Sequence, residues 1–152
     1  FNGIALEIQW SNLIATVTEQ ARALQRIAFS PIVREAGDLA TALFDRRGRM
    51  VAQAVTGTPG HINSLGAAGR HFVEAFPPDS LVPGDVLITN DPWLSSGHFF
   101  DITVMTPVFR ADRCIGFFGS TIHHTDISGY GVGAGARDVH EEGLWIPLCK
   151  LY

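Results

Sequence analysis

The run HFFDITVMTPVFRADRCIGFFGSTIHHTD, residues 98–126, decides how this chain folds. Asp101 to Phe109 alternates apolar and polar residues and is rich in β-formers, and Cys114 to Ile122 does the same. Ala111-Asp112-Arg113 between them is a turn. Pro107 inside the first strand points to an edge position or a bulge, because proline cannot donate to a ladder. Two strands joined by so short a turn form an antiparallel hairpin, in which paired residue numbers sum to about 224. Asp101 then lies opposite His123, and His98 opposite Asp126. Residues far apart in sequence converge at one rim of the hairpin.

The flanking segments complete an α+β pattern. Upstream, Leu6, Trp10, Leu13, Ile14, Val17, Ala21, Leu24 and Ala28 step by three and four, which predicts a long N-terminal helix with one apolar face. Ser30-Pro31 ends it. Asp38 to Phe44 reads as a strand, Asp45-Arg46-Arg47-Gly48 as a turn and Arg49 to Val55 as the returning strand. After the Gly57-Thr58-Pro59-Gly60 break, Ile62, Leu65, Phe72, Val73 and Phe76 predict one further helix, stopped by Pro77-Pro78, with Gly66 and Gly69 as weak points. Val86-Leu87-Ile88 is a buried strand running into an Asn90-Asp91-Pro92 turn. Gly129 to Gly135 closes the chain's second half as a glycine-rich loop. Repeats, low-complexity segments and linkers are lacking in the sequence.

Composition narrows the function. The 152 residues are 46% apolar and 17% charged, with 11 basic against 15 acidic side chains and a net charge of −4. A chain of this size hides about two-thirds of its unfolded surface, enough for a real core. No Lys/Arg block is present, so the electrostatic footprint of a nucleic-acid or anionic-membrane partner is missing. No apolar run approaches the roughly 20 residues of a membrane span. Cys114 and Cys149 read as two free thiols of a reducing compartment, and a cytoplasmic location is the expectation. The chain opens on Phe1 and closes on Cys149-Lys150-Leu151-Tyr152 without a cap, so residues 1–152 are expected to be a single fragment of a longer chain, which the resemblance given below places as the N-terminal portion of its subunit.

The rim of the hairpin is where the chemistry concentrates. His98, Asp101, His123, His124 and Asp126 are candidate ligands for a divalent metal, since mixed imidazole and carboxylate sets suit Zn, Mn and Fe. An open coordination position would activate water or polarise a carbonyl. Asn90 and Asp91 end the neighbouring strand and are candidates for the surrounding shell or for substrate contact. The plainer reading treats each histidine as solvated or hydrogen-bonded, and Asp126, before Ile-Ser-Gly, as an Asx-turn residue. His123 and His124 face opposite ways on a strand, so one of the two would bind. His61, after Pro59-Gly60, reads as a cap or a pocket residue, and His71 and His140 as surface residues. Gly131-Val132-Gly133-Ala134-Gly135-Ala136 matches a loose dinucleotide-loop pattern, but the His-His-Thr-Asp turn separates it from its strand. A flexible loop near a substrate is the better reading. No G-x-S-x-G nucleophile motif is present, and Ser120 lacks that context.

In order along the chain stand Ala28-Phe29-Ser30-Pro31-Ile32-Val33-Arg34-Glu35, Ala42-Leu43-Phe44-Asp45, Gly84-Asp85-Val86, Asn90-Asp91-Pro92-Trp93, Gly97-His98, Asp101-Ile102-Thr103-Val104, Pro107-Val108-Phe109, His123-His124-Thr125-Asp126-Ile127 and Glu142-Gly143-Leu144-Trp145-Ile146-Pro147. On these runs the chain resembles the N-terminal part of the hydantoinase B family. That family includes N-methylhydantoinase and oxoprolinase B-type subunits and the α subunits of acetone and acetophenone carboxylases. Ser95-Ser96-Gly97 stands where the family usually has Gly-Gly-Thr, and Phe99-Phe100 where Leu-Pro is common.

The resemblance implies the metal-binding subunit of an ATP-dependent cyclic-amide hydrolase of hydantoinase or 5-oxoprolinase type. Its partner would be an A-type subunit carrying the ATP site. Carried over by position, His98, Asp101 and one or both of His123 and His124 are metal ligands, with Asp126 and Asp91 as ligands or supporting residues. Asp101 and His123 are the expected catalytic residues, and Phe99, Phe100 and Trp93 an apolar wall. Carboxylation of a ketone through its enol phosphate is the alternative reaction. A non-catalytic assembly subunit is the alternative of another class.

Overall fold

The computed structural model describes residues 2–55 and 57–152. Six antiparallel strands form one sheet: β1 (Leu39–Asp45), β2 (Met50–Gln53), β3 (Leu87–Thr89), β4 (Asp101–Arg110), β5 (Arg113–His123) and β6 (Cys149–Lys150), in the order β2-β1-β5-β4-β3-β6. Helices α1 (Gly3–Ile27), α2 (Pro31–Ala36) and α3 (Pro59–Ala75) cover it. Helices α1 and α2 lie on one face and α3 on the other, an α+β arrangement. Among the described residues, no helix is long and apolar enough to cross a membrane.

The β4–β5 hairpin has the expected register. Asp101 pairs with His123 and Pro107 with Phe117, and a bulge falls between Val108 and Phe109. Strand β3 opposes only Thr103–Met105 of β4. Pro107 therefore sits beyond that neighbour, where its missing amide hydrogen leaves no ladder bond unmade.

Strand β1 is buried on both faces. Ala40, Ala42 and Phe44 join Leu65, Ala68, Phe72, Met105 and Phe117 in a core under α3. Leu39 and Leu43 join Val17, Ala21 and Val33 in a second core under α1 and α2. Burial of the α1 face is complete only in its C-terminal half: Val17 and Ala21 are buried, whereas Leu6 and Trp10 stay about half exposed, at 51% and 50%.

Proline 31 does more than end the first helix. It occupies the first turn of α2, where its missing N–H costs nothing. The further helix begins at Pro59, earlier than Ile62, for the same reason. Gly69 is required within it, because a Cβ there would meet the Gly48 carbonyl oxygen at 2.5 Å and the Phe44 ring at 2.7 Å. Strand β6 is too short to carry a periodic signal, and it pairs with β3 through Ile88 and Cys149.

Candidate metal centre

Along each strand, alternate residues face α3, and at one end of the sheet that face turns from apolar to ionisable. On β4 the buried series runs Met105, Thr103, Asp101, and on β5 it runs Phe117, Thr121, His123. Asp38 precedes β1 in the next position, its carbonyl accepting from the His123 amide at 3.3 Å. Three neighbouring strands thus deliver Asp38, His123 and Asp101 in a row. Helix α3 starts above that row: the hydroxyl of Thr58, its N-cap residue, donates to Asp38 Oδ1 at 2.6 Å. His61 falls in the first turn.

Three imidazoles converge on one carboxylate. His61 Nε2 lies 2.7 Å and His98 Nε2 2.9 Å from Asp101 Oδ2, and His123 Nδ1 lies 3.0 Å from Oδ1. Asp101 is 1% exposed. Burial by itself would raise its pKa, but the hydrogen bonds from His123, His61 and His98 outweigh it and hold the carboxyl well below the ordinary range. Hydrogen bonding to Asp101 in turn raises the pKa of His61 and of His98, against the opposing effect of burial. Phe100 stacks on His123, with ring centroids 5.8 Å apart and planes 24° apart. The aromatic face holds the imidazole plane in place.

The loop carrying His98 is tied down by hydroxyls. Ser64 of α3 contacts Ser96 at 3.1 Å, Ser95 hydrogen-bonds Thr103, and Thr103 bonds Thr121 across the hairpin at 2.7 Å. Ser95 and Ser96 thus hold the loop by side chains.

The donor set fits a divalent metal. The ligand atoms of His98, Asp101 and His123 lie within 4.8 Å of one another. The buried Nδ1 of His61 has no hydrogen-bond partner among the described residues, although Asp38 Oδ1 is 3.4 Å away. Imidazole nitrogen with carboxylate oxygen is the ligation that Zn, Mn and Fe accept.

Other sequence-predicted residues fall outside the cluster. His124 is half-buried and lines a cavity of about 320 Å³ with Leu24, Ile27, Ala28, Val33 and Ile122; burial and the neighbouring His123 lower its pKa. The ladder ends at the Asp101–His123 rung, so no His98–Asp126 rung forms. Asp126 is exposed, and its Oδ1 accepts from the Ser128 amide at 3.2 Å, an Asx-turn contact. Asn90 is 1% exposed and its amide nitrogen donates to the carbonyls of Phe99 and Leu144. Asp91 accepts from the Trp93 amide at 2.9 Å. Phe99 and Phe100 are buried, while Trp93 is 87% exposed.

Asp38 and His61 are the cluster residues that sequence reasoning did not place there. Asp38 enters through the pairing of β1 with β5, and His61 through the packing of α3 on that pair. His61 directly after Pro59-Gly60 was the one local sign, since it sets an imidazole in a helix's first turn.

Comparison with known proteins agrees with the resemblance. The profile of the hydantoinase B/oxoprolinase family matches residues 2–152. The 5-oxoprolinase PfmaA of Pestalotiopsis fici is 33% identical over 99% of this chain, which spans 12% of that protein. A nucleotide-free structure of acetone carboxylase, from a study of ATP-dependent acetone carboxylation, superposes with a TM-score of 0.85 at 26% identity, over 99% of this chain and 20% of that one. The ATP-dependent caprolactamase of Pseudomonas jessenii superposes with a TM-score of 0.80 at 30% identity, over 100% of this chain and 26% of that one. The chain spans about a quarter or less of the length of these relatives. By its profile, its relatives and its fold, the chain belongs to the hydantoinase B/oxoprolinase family.

Proposed function

We propose that this chain is the metal-holding N-terminal portion of an ATP-dependent enzyme that opens cyclic amides, of hydantoinase or 5-oxoprolinase type. The observation that carries the reading is the convergence of His61, His98 and His123 on the buried carboxylate of Asp101. His98, Asp101 and His123 would hold the ion, with His61 and Asp38 adjoining. Bound there, Zn, Mn or Fe would supply a Lewis acid that polarises a carbonyl and acidifies water.

The chain's own residues do the rest of the work in this reading. Asp101 aligns three imidazoles at once, and a ligand set already held in place costs little to organise. The apolar core under α3 begins with the fully buried Leu65, one turn beyond His61, and borders the inner side of the site. His98, whose side chain is 35% exposed, marks the open side from which a substrate would approach. Asp101 and His123 are the residues on which turnover depends. ATP belongs to an A-type partner chain, and a cytoplasmic location accompanies the two free thiols.

The test is elemental mass spectrometry on the full-length protein, purified with its partner and without chelators. About one Mn, Zn or Fe per chain is expected. Asp101→Ala should remove both the metal and ATP-dependent ring opening. Full turnover in metal-free Asp101→Ala and His123→Ala would overturn the reading. The likeness to acetone carboxylase favours a second reaction on the same site, ATP-dependent carboxylation of a ketone. Bicarbonate-dependent ATP consumption with a ketone, and none with a cyclic amide, would select it.

A further inference from the structure

Between the two ligand positions His98 and Asp101, the backbone is held by a segment far along the chain. The Phe99 amide donates to Glu142 Oε2 at 2.8 Å. The Phe99 carbonyl accepts from Asn90 Nδ2 at 2.8 Å, and the Phe100 carbonyl accepts from the His124 amide at 2.8 Å. Of these contacts, the one to Glu142 involves a charged acceptor, which makes it the strong member of the set.

The segment that carries Glu142 is tied back to the chain after β5 by backbone hydrogen bonds. The Tyr130 amide donates to the Glu141 carbonyl at 3.0 Å, and the Leu144 amide to that of Ile127 at 2.8 Å, so residues 141–144 lie along the chain that leaves β5. Glycines permit this approach: a Cβ on Gly129 would meet the Glu142 carbonyl oxygen at 2.5 Å, and one on Gly143 would meet that of Ile127 at 2.5 Å. The carboxylate thus comes from a segment that folds back onto the chain leaving β5, the strand that carries His123.

We propose that Glu142 is a positioning residue for the metal site, accepting the Phe99 amide proton and thereby fixing the direction in which His98 meets Asp101. The inference rests on the metal-site reading above. Glu142 is not one of the clustered donors; its hydrogen bond to the site runs through the Phe99 peptide group. Glutamine at this position keeps an acceptor oxygen and loses the charge, whereas alanine loses both.

The experiment uses the full-length protein with its partner chain and has two readouts. The first is affinity for Mn or Zn by chelator competition. The second is hydrogen exchange of the peptide covering residues 94–101, followed by mass spectrometry on metal-free protein. Glu142→Ala should weaken metal binding by about 10–100-fold and speed exchange of that peptide by about tenfold or more. Glu142→Gln keeps the acceptor and loses the charge, so it should fall between wild type and Glu142→Ala in both.

An unchanged value in either readout for Glu142→Ala overturns the proposal. So does a Glu142→Gln variant as impaired as alanine, which would mean that the charge acts and the hydrogen bond does not. Wild-type metal content, and its loss in Asp101→Ala, judges the metal-site reading separately. If wild type holds no metal, that reading fails, and exchange in the metal-free protein alone decides whether Glu142 fixes the loop.

Discussion

His61 Nε2 lies 2.7 Å from Asp101 Oδ2, so the first turn of α3 and the first residue of β4 meet at a single carboxylate. This contact joins the helix to the hairpin exactly where the core gives way to the ionisable cluster. His61→Ala should therefore weaken metal binding by about 10–100-fold in the full-length protein, measured by chelator competition. An unchanged affinity would show that His61 gives the ligand set no support.

Protonation of the cluster makes stability depend on pH in a defined direction. His61 and His98 have pKa values raised above the ordinary 6.5, chiefly by hydrogen bonding to Asp101. Their contribution to stability is fully present below pH 6.5 and is lost as pH rises through the raised values. Asp101 is depressed below its ordinary 3.8, so its contribution is present above that pH and is lost only under strongly acid conditions. Thermal unfolding of the metal-free protein should show a midpoint that declines above pH 6.5. Asp101→Asn should flatten that decline. Metal affinity should run the opposite way and strengthen as pH rises, because the imidazoles must shed protons to bind.

Asp126 lies outside the cluster, with its carboxylate turned to the Ser128 amide. Asp126→Ala should leave metal content at the wild-type value and change stability by no more than about 0.5 kcal/mol. Metal loss in this variant, seen by elemental mass spectrometry, would bring Asp126 into the site.

Asn90 is buried and joins three backbone groups, donating to the Phe99 and Leu144 carbonyls and accepting from the Ile146 amide. Asn90→Ala leaves those groups without their partner. It should destabilise the protein by about 1–3 kcal/mol or more, measured by chemical denaturation. Its amide is committed to the backbone, so catalytic constants should change less than stability.

Gly69 is pressed between the Gly48 carbonyl and the Phe44 ring. Gly69→Ala should cost about 1–3 kcal/mol through overpacking, despite alanine's better helix propensity. A raised thermal midpoint would show that α3 can move away from the β1–β2 turn at little cost.

Much of the fold was legible because its signals are local. The sequence reading correctly set Asp101 opposite His123, although the turn is only Ala111-Asp112, with Arg113 already in β5, and the bulge between Val108 and Phe109 supplies the remaining one-residue offset. The first helix followed from its periodicity, but which part of its face is buried did not. Leu6 and Val17 carry the same signal, and only Val17 is buried. Helix α2 and strand β6 are too short for a period to show.

By itself, the sequence determined the α+β class, the hairpin, the His98–Asp101 spacing and the family. All of these depend on neighbours within a turn or a strand pair, where chain geometry leaves few choices. Tertiary structure alone decided that Asp38 and His61 join the cluster, that Asp126 stays out, and that Glu142 grips the Phe99 amide. Those outcomes depend on β1 pairing with β5, on α3 packing over both, and on residues 141–144 returning to the chain after β5. Such contacts form between segments distant in sequence, where burial and close packing select the partner and no local pattern records the choice.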